Sequence, residues 1–424
     1  MILMFYIISF ISLLFFLFAK RKFDLFTLAY FSAMIYFLPG YFGYVIEPRL
    51  FKGVRVMTEV SIIDKTYIIM ILVLLSITIF ALLNDVVQNK VNFKTRIFTS
   101  NIEESIYIPY VFFLISIVSF LIILLQNDVS LFSGKTVLWE EGGIIQIFWG
   151  ISLSYVFLIS LIEKRKKFIL YSIVMLFVFF LTGDRTTVAI SILAFIVFYF
   201  NKKEKQPLIK MIKILPTLCI FVFALFIFIG KDIYGSFQYR GLKGVYQTII
   251  DKDLYLNSIL NSEPFAIQNI LNKVLQTDFF LGFDYLNDLP LQLLVVPSFF
   301  GADSQGFSET FRSTFYSFVD YGMAYNFWAE AYSIGKWPIV IGFILFFNFI
   351  LLLLNLLLRS KDVSLKVLIL LLGTYWSFYI HRNSLYTILT FERHHILLYI
   401  ISLLSSFYIY IIFNKERQRG CSNG

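Results

Sequence analysis

Long runs of residues that are apolar on every helical face recur along the chain from Ile2 to Phe413, separated by short polar connections. A hydrocarbon layer about 30 Å thick takes roughly 20 such residues per helical crossing. The runs predict membrane spans at 2–19, 25–46, 66–83, 106–125, 144–162, 168–182, 185–200, 214–230, 336–358, 363–380 and 396–413. Strands of a membrane β-barrel would alternate apolar and polar positions over about ten residues, and these runs do not. The two short runs that meet at Thr182 are expected to be tilted, or broken where neighbouring protein shields the backbone. The first run has neither a basic leading region nor an Ala-x-Ala-like site, so it is expected to stay as an anchor rather than be cleaved.

The pattern changes between residues 231 and 335, where no run is long enough to cross. Leu242, Val245, Tyr246, Ile249 and Ile250 recur at helical spacing, as do Ile267, Ile270, Leu271, Val274 and Leu275. Two amphipathic helices on the membrane or over a cavity are expected. The apolar stretch from Leu289 to Phe300 carries Pro290 and Pro297 and reads as a re-entrant or packed segment. The expected organisation is thus all-α and polytopic, with about eleven spans. It divides into spans one to eight (1–230), one large external helical loop (231–335), and spans nine to eleven with a short tail (336–424).

Composition agrees, since 59% hydrophobic and 15% charged residues are incompatible with an ordinary water-soluble globule. The net charge of +9 lies mostly in short connections. With the N-terminus outside, the inward-facing connections hold 21 of the 36 basic residues, as cytoplasmic loops do. Contact with anionic lipids accounts for that charge, and no nucleic-acid partner is expected. The connection from Glu47 to Lys65, with Arg49, Lys52, Arg55 and Lys65, runs against the rule. Cys219 within a span and Cys421 in the tail are not expected to pair.

Three polar strings stand at span ends. In Thr182-Gly183-Asp184-Arg185-Thr186-Thr187, the next helix presents free amides and its positive dipole end beside Arg185, an arrangement suited to phosphate. Asp184 as a helix cap with Arg185 at the headgroups is the equal alternative. In Phe327-Trp328-Ala329-Glu330-Ala331-Tyr332-Ser333-Ile334-Gly335, Glu330 sits among apolar neighbours, as a base for a hydroxyl nucleophile or as an arginine's counter-ion. The third string, His381-Arg382-Asn383-Ser384-Leu385, is followed by Phe391-Glu392-Arg393-His394-His395. The histidine spacing is not that of a helical zinc site, so no metal is expected. Arg382 and Arg393 either join Arg185 around one phosphate-rich substrate or meet lipid headgroups. Arg240 and Arg312 of the long segment lie near Tyr239, Phe311 and Phe315, flat faces on which sugars can rest. No nucleotide-binding loop, nucleophile elbow or Asp-rich metal string is present.

Together, Gly183-Asp184-Arg185, Glu330-Ala331-Tyr332 with Gly335, and Arg382-Asn383-Ser384-Leu385, in this order and flanking one long segment, resemble the Wzy-type polymerases that join lipid-linked repeat units of O-antigen and capsule. Asp184 stands where the family usually has a small residue, and Asn383 where it often has glycine. The resemblance covers the C-terminal 60% or so of the chain. It implies a C-type glycosyltransferase architecture in the bacterial inner membrane, with its active site on the periplasmic or outer face. The growing glycan would pass from undecaprenyl pyrophosphate to the non-reducing end of another lipid-linked unit, without cofactor, metal or nucleotide sugar. A chain-length regulator and a flippase of the same pathway are the implied partners. Arg185 and Arg382 would hold pyrophosphate and Glu330 would act as base. Arg240, Arg312, Arg393 and His381 would contact substrate. The rival readings are an O-antigen ligase of the same superfamily and a lipid-linked oligosaccharide flippase or other transporter, which would show inverted repeats and midplane charges.

Overall fold

A computed structural model describes residues 1–51, 54–90, 107–126, 135–211, 236, 240–248, 250, 262–287, 289–294, 306–318 and 325–422. The first part comprises helices α1 (Ile2–Phe18), α2 (Leu25–Tyr36) and α3 (Leu38–Phe42), strands β1 (Tyr44–Phe51) and β2 (Val54–Ser61), and helices α4 (Asp64–Lys90), α5 (Ile108–Leu125), α6 (Lys135–Glu163), α7 (Lys166–Leu181), α8 (Arg185–Asn201) and α9 (Leu208–Met211). Helices α10 (Glu263–Thr277), α11 (Phe307–Phe315), α12 (Phe327–Leu357), α13 (Val363–Tyr379) and α14 (Leu385–Ser422) complete it.

The chain is mostly helical, and six of its described helices are long and apolar enough to cross a membrane: Asp64–Gln88, Ile108–Leu125, Gly143–Glu163, Phe327–Leu357, Val363–Arg382 and Leu385–Phe413. Ile2–Phe18, Leu25–Tyr36 and Arg185–Asn201 are apolar but shorter. The run expected at 214–230, with Cys219, lies outside the described residues. The run expected at 25–46 is not one helix. It stops at Phe37, where Pro39 opens α3, and the chain then enters β1.

The β1–β2 hairpin departs from the all-α expectation. Its antiparallel register runs from Tyr44 opposite Ser61 to Phe51 opposite Val54. In the sequence this was an awkwardly basic connection, because its strands are too short and too polar to announce themselves beside the spans.

Helix α10 has the expected amphipathic face, but that face is packed into protein. Ile267, Ile270, Leu271, Val274 and Leu275 are all buried, and the helix contacts β1, α12 and α2. Residues 240–248 are also helical, with Leu242, Tyr246 and Ile250 exposed and Ile249 outside the described residues. Of the stretch from Leu289 to Phe300, Pro290–Leu293 forms a short 3-10 turn.

Glu47 fastens the hairpin to the long segment. Its buried carboxylate receives Lys273 of α10 at 2.8 Å, Arg49 at 2.7 Å and the Tyr316 hydroxyl just after α11 at 3.2 Å. Burial pushes this carboxyl up, but the hydrogen bonds and charges of Lys273 and Arg49 outweigh it and hold Glu47 below its ordinary value of 4.5. A depressed folded-state value contributes stability that is present above the unfolded value and lost as pH falls through the folded one. Glu47→Gln is therefore expected to melt below the wild type at neutral pH. The gap should close as the pH is lowered through and below 4.5, as read by thermal melting in detergent across that range.

Candidate active site

Helix α12 breaks in two at Gly335 and Lys336, and Lys336 takes a left-handed φ of 58°. Pro338 accounts for the position of the break, since its ring cannot tolerate a helical carbonyl four residues earlier and it donates no amide hydrogen. The break is clamped from outside the helix. The Leu281 amide donates to the Ser333 carbonyl at 2.8 Å, and Lys336 Nζ reaches both the carbonyl and the carboxylate of Asp278 at 2.8 and 2.9 Å. An arm of eight residues, 327–334, is thereby held apart from the spanning part of α12. Asn326 caps the arm, its Oδ1 accepting from the Trp328 and Ala329 amides.

Glu330 lies on the buried side of this arm, with no solvent exposure. Its Oε2 accepts the Leu385 amide at 2.7 Å, and its Oε1 accepts the Tyr285 hydroxyl at 2.6 Å. Leu385 is the first residue of α14, so the carboxylate faces the positive end of that helix. The Tyr285 oxygen in turn accepts the Phe307 amide at the start of α11 at 3.2 Å. Burial and the neighbouring Glu330 both push the Tyr285 phenol up, so it stays protonated and donates. Glu330 is therefore held by backbone and phenol, with no arginine bound to it as counter-ion among the described residues.

The string 382–385 is used residue by residue. Arg382 makes a two-point pair with Glu263, at 2.9 and 2.8 Å, and stacks over the Tyr379 ring at 5.2 Å. Asn383 donates to the Tyr375 hydroxyl at 2.8 Å. Ser384 caps α14 by accepting the Thr387 amide, and the Leu385 amide goes to Glu330. The Arg382–Glu263 pair is about one-third exposed on both sides.

The 182–187 string meets this site through tyrosines. Gly183 makes the turn between α7 and α8 with φ 91°, and Asp184 caps α8 by accepting the Thr186 amide. Asp184 lies within electrostatic reach of the Tyr375 and Tyr379 hydroxyls, and Thr186 adjoins Tyr379. The same two tyrosines contact Asn383 and Arg382, and α13 packs on α8. Thus three strings separated by up to 200 or so residues converge at one end of the bundle. Arg185 opens α8 there, half-buried.

The other candidates have different surroundings. His381 is fully buried, its Nδ1 accepting the Trp328 indole at 3.0 Å against the rings of Tyr36 and Phe37. Arg393 donates to the carbonyls of Gln292 and Leu294, fastening the 290–294 turn to α14. Arg312 is half-buried on α11, and Arg240 is exposed on the 240–248 helical segment. Among the described residues no hydrogen bond or ion pair joins either of them to Glu330, Arg382 or Glu263. No cluster of three His, Cys, Asp or Glu side chains able to hold a metal occurs among the described residues.

Glu263 and Tyr285 were not apparent from the sequence as site residues. Each is an ordinary residue of a polar loop or helix start, and only the fold sets it against Arg382 or Glu330. Tyr285→Phe removes one of two donors to a buried carboxylate, at a cost of about 1–3 kcal/mol. It is expected to lower the melting midpoint in detergent more than Tyr246→Phe, a change at an exposed position. No protein-family model, curated protein or solved structure matches this chain.

Proposed function

We propose that this protein polymerises lipid-linked oligosaccharide repeat units of O-antigen or capsule, transferring the growing glycan from undecaprenyl pyrophosphate to the non-reducing end of another lipid-linked unit. The observation that carries this reading is the gathering of a buried, hydrogen-bonded Glu330, a partly exposed Arg382 and the Arg185 end of α8 at one end of a bundle of apolar helices. An acid, an arginine and a second arginine at a helix N-terminus are the groups that such a transfer needs in one place.

In the reaction, an acceptor hydroxyl takes the position that the Tyr285 hydroxyl holds against Glu330. Its oxygen attacks the anomeric carbon of the donor glycan, and its proton passes to the Glu330 carboxylate. The bond from that carbon to the pyrophosphate oxygen breaks, and its electron pair leaves with the pyrophosphate. Charge develops on the leaving oxygens, so guanidinium groups placed there stabilise the transition state more than the ground state. Arg382 reaches phosphate by exchanging its Glu263 partner for phosphate oxygens, which present the same two-point acceptor geometry. Arg185 and the α8 N-terminus supply the second set of donors, with Arg312 or Arg240 of the long segment, or Arg393 of α14, assisting. The Tyr379–Tyr375–Phe391 stack lies alongside. The chain is read as a multi-pass protein of the bacterial inner membrane, with about eleven spans and this site on its outer side.

Purified enzyme given lipid-linked repeats tests the reading. Glu330→Gln is expected to slow polymer formation by about 10²–10⁴, and Arg382→Ala and Arg185→Ala by at least about tenfold each. Normal polymerisation by either arginine variant would remove that arginine from the site. Deletion in cells is expected to leave single repeats on the carrier. Long chains left on the carrier would instead identify a ligase.

A further inference from the structure

Both reactive groups of the candidate site are already occupied, and by the same part of the chain. Arg382 holds the Glu263 carboxylate through two contacts, at 2.9 and 2.8 Å, and Glu330 holds the Tyr285 hydroxyl at 2.6 Å. Glu263 and Tyr285 both belong to the long segment between residues 231 and 335. A carboxylate offers an arginine a pair of acceptor oxygens, as a phosphate does, and a phenol offers a carboxylate a hydroxyl donor, as a sugar does. The long segment thus supplies each group with an internal copy of what a substrate would bring.

Glu263 differs from the acid that ties this segment down. Glu47 is buried and takes three donors, from Lys273, Arg49 and Tyr316. Glu263 has Arg382 as its one hydrogen-bonding partner among the described residues, and its side chain is 35% exposed. The body of α10 does not depend on it. Asn272 accepts the Ile63 amide and the Thr66 hydroxyl, Asn269 donates to the Tyr316 hydroxyl, and Lys273 reaches Glu47. Release of Arg382 therefore takes a rotation of one side chain and leaves the helix in place. A freed Glu263 lies in the first turn of α10, where the helix dipole favours a negative charge. Arg382 remains between the Tyr379 ring and the Tyr36 hydroxyl that adjoins it.

We propose that Glu263 is a built-in competitor for the anion site on Arg382, keeping that site shut until a diphosphate displaces it. This rests on the placement of a diphosphate at Arg382 under the proposed function. The contact sets a threshold. A phosphodiester headgroup carries a single charge, as Glu263 does, and meets a carboxylate already in place. A diphosphate brings more charge and a second phosphate, for which the Arg185 end of α8 is the neighbouring set of donors. Ordinary phospholipids are thereby kept off the arginine while a lipid diphosphate is admitted.

Inorganic pyrophosphate titrated calorimetrically into the full chain in phosphatidylcholine nanodiscs, at constant ionic strength, tests the proposal, with melting recorded on the same samples. Glu263→Gln is expected to bind pyrophosphate roughly fivefold more tightly than the wild type. Glu263→Asp keeps the charge but draws it back by one methylene, and should shift binding in the same direction. Neither gain should survive in an Arg382→Ala background. Glu309→Gln removes the same charge from an exposed position on α11, close to Tyr325, whose amide donates to the Arg382 carbonyl. It should leave the affinity within about twofold of the wild type. No tightening in either Glu263 variant would overturn the proposal, and so would an equal gain in Glu309→Gln, which would mean a diffuse charge effect. Wild-type binding that Glu263→Gln leaves unchanged would sink the competitor and leave the polymerase reading standing. Tightened binding by a protein that makes no polymer would do the reverse.

Discussion

A carboxylate taken wholly out of water stays there only if donors replace the water, and Glu330 obtains them from two distant parts of the chain. The Leu385 amide comes from the start of α14, and the Tyr285 hydroxyl comes from the loop after α10. Each donor can reach Glu330 only if its own element is in place. The α14 start needs the Arg382–Ser384 corner, and that corner needs the α13–α8 contact through Tyr375 and Tyr379. Tyr285 needs α11, whose first amide it accepts. The geometry of the whole end of the bundle is thus tied to satisfying one buried charge.

The break in α12 follows from the same requirement. A straight helix would place Glu330 and the apolar residues after Pro338 on one continuous cylinder. The kink lets the first eight residues turn their faces inward while the remainder follows the spanning direction. Lys336 adopts a backbone conformation that an L-residue disfavours, and its ammonium is anchored on Asp278 and its carbonyl. Strain at this junction is offset by contacts from the long segment, so that segment and the membrane helices are parts of one folded unit at this end.

Polar groups at the two ends of the helices are arranged differently. At the Glu330 end, cations and anions are matched in pairs: Arg382 with Glu263, Lys336 with Asp278, and Lys273 and Arg49 with Glu47. Such pairs hold the hairpin, α10, α12 and α14 together, and an incoming anion must compete with them. At the other end, Asp24 and Asp85 are gathered around the buried Arg21.

The sequence by itself determined that the chain is helical and membrane-compatible, because runs apolar on every face have few other stable forms. It also marked the positions of most helices and the strings at their ends, since a capping residue such as Asp184, and Gly183 at its turn, act over three or four residues. The amphipathic face of α10 was legible for the same reason, in its period. What the sequence left open was where that face would pack, the hairpin at 44–61, the burial of His381, and the partners of every charged group. Those depend on contacts between residues 45 to 330 positions apart, such as Tyr285 with Glu330 and Leu25 with Asn355. Local pattern carries no record of such distances. Only the packed tertiary structure decides which donor stands opposite which carboxylate, and so which polar residues are structural ties and which remain for a substrate.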